Sequence, residues 1–80
     1  MTTYEYYIVY PEGEEQEIPG KLGIDELVDL NGRPLGLPLP SARTIAYRVV
    51  KIRHQEERGI YSIRHYLELV PARELLRYLA

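Results

Sequence analysis

Apolar and polar residues alternate most regularly between residues 44 and 70, TIAYRVVKIRHQEERGIYSIRHYLELV. A period of two marks a strand with one buried face. The polar stretch from Gln55 to Gly59 divides the segment, so the pattern predicts a long β-hairpin with strands over 45–54 and 60–70. In the second strand Tyr61, Ile63, His65, Leu67 and Leu69 share one parity. A two-residue turn at Glu57-Arg58, or a four-residue turn from Glu56 to Gly59, sets His54 across from Tyr61 and Ile52 across from Ile63. Val50 then faces His65, and Arg48 faces Leu67. A three-residue turn would put Ile52 on the face of Ser62 and Arg64. One slip exchanges every side chain between faces, so the apolar pattern selects the first register. The opposite face then pairs Arg53 with Ser62, Lys51 with Arg64, Val49 with Tyr66, Tyr47 with Glu68 and Ile45 with Val70. That face is basic near the tip and apolar toward the base. The base is therefore expected to be covered on both sides, with the tip projecting from it.

The remaining segments are shorter. Residues 4–10, YEYYIVY, are rich in strand formers, Pro11-Glu12-Gly13 signals a turn, and residues 14–18 return as an acidic strand. This predicts an N-terminal hairpin whose second strand lies at a sheet edge, where charge discourages stray pairing. In residues 24–32, IDELVDLNG, the spacing of Ile24, Leu27 and Val28 favours a short helix capped by Asn31-Gly32. The alternative is a strand that turns at Asn31-Gly32 into Arg33-Pro34-Leu35, against which the prolines weigh. Residues 33–41, RPLGLPLPS, read as an extended connector whose three leucines pack over a core edge. The closing PARELLRYLA predicts a two-turn helix started by Pro71, with Leu75, Leu76 and Leu79 on one face. Too short to be stable alone, it must dock.

These elements predict a single small domain over residues 1–80 of the α+β class, mainly antiparallel β. The expected form is a small curled sheet or a partly open SH3-like barrel, with a short middle helix and a short C-terminal helix. A chain of 80 residues buries only about 60–65% of its unfolded surface. With no cysteine there is no disulfide or thiolate metal site to add stability. Oligomerisation is a common remedy for so thin a core. The N-terminus lacks the features of a signal peptide, and no apolar run approaches a membrane span. The cytoplasm is the expected location, with no membrane partner.

Charge changes the picture more than composition does. Residues 1–32 hold eight acids and one base, whereas residues 33–80 hold nine bases and four acids. Such asymmetry points either to an anionic partner or to mutual neutralisation within the fold. The candidate binding residues are Lys51, Arg53, Arg58 and Arg64, with Arg48 and Tyr66 at the margin. Lys51 and Arg64, placed directly opposite, repel each other; either a partner or nearby acids must answer them. Tyr66 and Tyr47 beside these cations would suit base stacking, or else tyrosine simply replaces phenylalanine in a thin core.

Other constellations point away from catalysis. His54 and His65 come out roughly 13 Å apart along the ladder, too far to share a metal. Glu12, Glu14, Glu15 and Glu17 lack the ligand spacing of a calcium loop, and no phosphate-binding glycine motif or activated nucleophile is present. No cofactor is expected. The leading expectation is a non-enzymatic protein–protein interaction or assembly module, a homo-oligomer or a binder of another protein. The alternative is a nucleic-acid-binding module working through the basic hairpin around residues 48–64, which the overall net charge of −2 disfavours.

Overall fold

A computed structural model describes residues 2–41 and 43–79. Five strands, β1 (Thr3–Val9), β2 (Glu15–Ile18), β3 (Leu27–Val28), β4 (Tyr47–Glu57) and β5 (Ile60–Leu69), form one sheet in the order β2-β1-β5-β4-β3. It is a curled half-barrel with a short helix α1 (Ala72–Leu75) and a single 3-10 turn (Leu76–Tyr78) at the C-terminal end. Three strand pairs are antiparallel, but β1 lies parallel to β5. That mixed pairing has no signature in the strand patterns, because period two is the same in either direction.

The long hairpin forms as expected, with a different register. Its turn is Arg58-Gly59, both at positive φ (54° and 83°), and Glu57 pairs with Ile60. A type I′ turn needs the left-handed conformation twice. Arg58-Gly59 offers one glycine to that requirement, and the expected Glu57-Arg58 offers none. The tip is thereby shifted by two residues: His54 faces Ile63, Ile52 faces His65, Arg53 faces Arg64 and Lys51 faces Tyr66. A shift of two keeps every side chain on its expected face.

At the base a second irregularity matters more. A bulge at Val50 separates Lys51↔Tyr66 from Val49↔Leu67. One extra residue reverses the parity of the strand beyond it. Tyr47 and Val49 therefore join Ile52 on the inward face, and Arg48 moves outward to face Glu68. The expected pairs Arg48–Leu67 and Tyr47–Glu68 are corrected by this single residue.

The short middle helix is also corrected. Residues 24–32 make β3 and a tight turn instead. Asp25 sits at φ 69°, outside the helical region, and the Asp29 side chain accepts from the Asn31 and Arg33 N–H groups (2.8 and 2.9 Å). Gly32 N–H donates to the Asp29 carbonyl, and Gly32 itself lies at φ 80°. This is a three-residue hairpin loop, with glycine in the left-handed position that closes such loops. A strand wins because Leu27 and Val28 are claimed by different cores. Val28 packs with Ile8, Ile18, Leu22, Tyr47, Val49 and Leu67, and Leu27 packs with Leu39, Ala46, Val70 and Leu75. Adjacent strand residues point to opposite faces, as a helix cannot arrange.

These two clusters cover the hairpin base on both sides. The connector contributes Leu39, which is buried, and Leu35, which is half-buried, while Leu37 is exposed. The C-terminal segment docks through Leu75 and Leu79, but Leu76 faces solvent. The molecule measures 45 × 22 × 17 Å, so the hairpin tip extends well beyond its cores. No helix among the described residues is long and apolar enough to cross a membrane.

Candidate functional site

The outer face of the sheet carries the cations in rows set by the strand register. One row reads Glu17–Tyr7–Arg64–Arg53 and the next Glu15–Val9–Tyr66–Lys51, from β2 across to β4. Lys51, Arg53, Arg64 and Tyr66 thus share one face, as the hairpin pattern predicts. The like-charged pair is Arg53 opposite Arg64, not Lys51 opposite Arg64. Arg48 joins the same face because of the bulge. Arg58 stands apart in the exposed turn at the hairpin tip.

The fold neutralises part of this charge. Arg64 pairs with Glu15 (Nε to Oε2, 3.2 Å) and lies 5.1 Å from the centre of the Tyr7 ring. Arg48 is bound from two directions, by Glu68 across the hairpin and by Glu74 of α1 (Nη1 to Oε2, 2.8 Å). The hydrogen bonds to Glu68 and then Glu74 raise the Arg48 pKa further above its ordinary value, with burial opposing them. Lys51 sits 5.9 Å above the Tyr66 ring, a cation–π separation. Among the described residues Lys51, Arg53 and Arg58 form no ion pair.

Glu15 and Tyr7 belong to this surface and escape the sequence reading, because β1 and β2 reach it only through the parallel β1–β5 contact. The Tyr7 hydroxyl donates to Glu5 Oε1 (2.9 Å). That hydrogen bond, then burial, raises the Tyr7 pKa, while the charge of Arg64 lowers it. Tyr47 is corrected as a member of the face. It is buried on the other side, edge-on to Tyr10 at 5.5 Å. Tyr10 in turn donates its hydroxyl to the Leu30 carbonyl, tying the N-terminal hairpin to the β3 turn.

The two histidines are nearer than the first register implies. His54 faces Ile63 and His65 faces Ile52, a diagonal relation of about 7–8 Å. His65 is fully buried, with both ring nitrogens engaged. Its Nε2 accepts from Leu22 N–H (3.0 Å), and its Nδ1–H donates to the Tyr7 carbonyl (2.8 Å). Its lone pair is spent on structure, and His54 is exposed.

Among the described residues, burial on the inward face stops at Ile63, and the face is open beyond it toward the hairpin tip. Tyr4 and Tyr61 stack at 5.4 Å between ring centres, yet remain 58% and 38% exposed. Ile60, beside the turn on the opposite face, is also exposed. The outer edge of β4 beyond Val49 pairs with no described strand.

Residues 2–78 match the model of a family described as an uncharacterised Treponema protein, and the chain belongs to that family. No curated protein and no solved structure matches it.

Proposed function

We propose that this member of the Treponema family is a non-enzymatic assembly module that associates with further copies of itself. The observation that carries this reading is the open distal end of the sheet's inward face, beyond Ile63. A sheet face with apolar side chains is stable when another layer covers it, and burial on the inward face stops at Ile63. Among the described residues, nothing covers the Tyr4–Tyr61 stack at that end or pairs with the β4 edge beside it. Tyrosine, with an apolar ring and a polar end, suits a surface that alternates between water and a partner. The cytoplasm is the proposed setting.

A nucleic-acid role has weaker support. Acids from β1 and β2 are interleaved with the cations of the outer face, and Arg48 and Arg64 are already paired. Phosphate binding needs a continuous basic stripe.

Light scattering across micromolar concentrations tests the proposal. Masses of at least twice 9.3 kDa are expected at the upper end. A 9.3 kDa species at every concentration would exclude self-assembly.

A further inference from the structure

The outer edge of β4 is occupied for only part of its length. Asp25 N–H donates to the Val49 carbonyl (2.8 Å), and Val49 N–H donates to the Glu26 carbonyl (3.0 Å). Past Val49 no described residue pairs with this edge. In a two-residue hairpin the residues flanking the turn form a hydrogen-bonded pair, here Glu57 and Ile60. Gln55, Arg53 and Lys51 then direct their backbone groups to β5, and Ile52, His54 and Glu56 direct theirs outward. The result is an open strand template seven residues long, Lys51 to Glu57.

Charge along this template is segregated. Lys51 and Arg53 occupy its first half, Glu56 and Glu57 its second, with His54 and Gln55 between. We propose that this edge pairs with the same edge of a second copy, antiparallel, about a two-fold axis at His54. The proposal rests on the self-association reading above and specifies its surface. In this register Lys51 lies opposite Glu57 of the second copy, Ile52 opposite Glu56 and Arg53 opposite Gln55. Symmetry forms the Lys51–Glu57 pair twice. Parallel pairing in register would set like charge against like.

The ends of the template fit the same arrangement. It is bounded by Asp25 and Glu26 on one side and by the Arg58-Gly59 turn on the other, so centring on His54 uses all of it. Arg58 of the second copy arrives beside Val50, next to Asp25 and Glu26. Charge on an edge strand ordinarily discourages pairing. Here the same charges admit one orientation, and the isologous contact closes at two copies. Seven residues a side make a small interface, so the dimer is of the weak, concentration-dependent class.

The test uses the full chain, Lys51→Glu with Arg53→Glu, Glu56→Lys with Glu57→Lys, and an equal mixture of these two variants, all by light scattering. Each variant alone is expected to lose the dimer, with a dissociation constant raised at least about tenfold. Mixing sets an all-acid edge against an all-base edge and restores the dimer. A variant that dimerises alone as the wild type does, or folded variants that stay monomeric when mixed, overturns the edge pairing while leaving self-association intact. A wild type that is monomeric throughout removes both. Amide exchange on the wild type gives an answer independent of the variants. Protection of Ile52, His54 and Glu56 is expected to rise with concentration while that of Arg53 and Gln55 does not; unchanged protection at those three overturns the proposal.

Discussion

His65 and Gly32 show how much of this small core depends on single positions. His65 is the acceptor for the buried Leu22 N–H. His65→Leu removes that acceptor and strands the donor, a cost of about 1–3 kcal/mol. Urea denaturation should show it as a lower midpoint with an unchanged slope. At Gly32 an added Cβ would lie 2.7 Å from Ile8 Cδ1 and 3.0 Å from Ile18 Cγ2, in a residue already at φ 80°. Gly32→Ala therefore combines backbone strain with overpacking, together about 2–4 kcal/mol. Gly13→Ala is the matching control. Its φ is 98° but nothing lies within 4 Å of the added atom, so only the backbone part, about 1 kcal/mol, is expected. The difference between the two midpoints measures the packing contribution. From sequence Gly32 reads as part of a helix C-cap, with a turn glycine as the alternative, and the structure makes it the latter. Its second duty, making room for Ile8 and Ile18, depends on residues 24 and 14 positions away and has no local signal.

At the scale of elements, the bulge at Val50 decides which half of the hairpin points where. Alternation identified the two strands, and the tip kept its expected faces because the register moved by an even number. The base did not, because one residue reversed the count. With Tyr47, Val49 and Ile52 all apolar, no single parity could bury all three, and the bulge is the device that lets them share a face. Deleting Val50 removes the extra residue and joins Val49 to Lys51, so plain alternation keeps Tyr47, Val49 and Ile52 inward and Arg48 and Lys51 outward. Retained cooperative thermal unfolding by circular dichroism is the expected outcome, because the ladder on either side of Val50 becomes continuous. Val50→Thr keeps the count and changes a residue that is exposed, so its cost should stay within about 0.5 kcal/mol. A deletion variant that loses cooperative unfolding would show that the parity argument is mistaken.

At the scale of the whole molecule, the division of charge between the two parts of the chain resolves into cross-sheet pairing. The Glu15–Arg64 bridge joins the acidic N-terminal hairpin to the basic long one. Outer-face cations are thus part of a mixed surface, and labelled single-stranded RNA is expected to bind weakly, with a shallow salt dependence. A binding constant that falls steeply with salt, and loses that slope in Lys51→Glu with Arg53→Glu, would instead favour phosphate recognition.

Local pattern alone determined the N-terminal hairpin, the long hairpin, the docking C-terminal helix, the curled-sheet class and the set of cations around residues 48–64. These depend on periodicity, turn chemistry and end signals, all of which act over a few residues. Tertiary structure decided the parallel β1–β5 contact, the strand at Leu27–Val28, the bulge and the partners of Arg48 and Arg64. Each of those settles where two apolar faces, or two opposite charges, from distant parts of the chain can be satisfied together. The free edge of β4 belongs to the second group: its charge order is written in the sequence, but only the sheet order leaves it open.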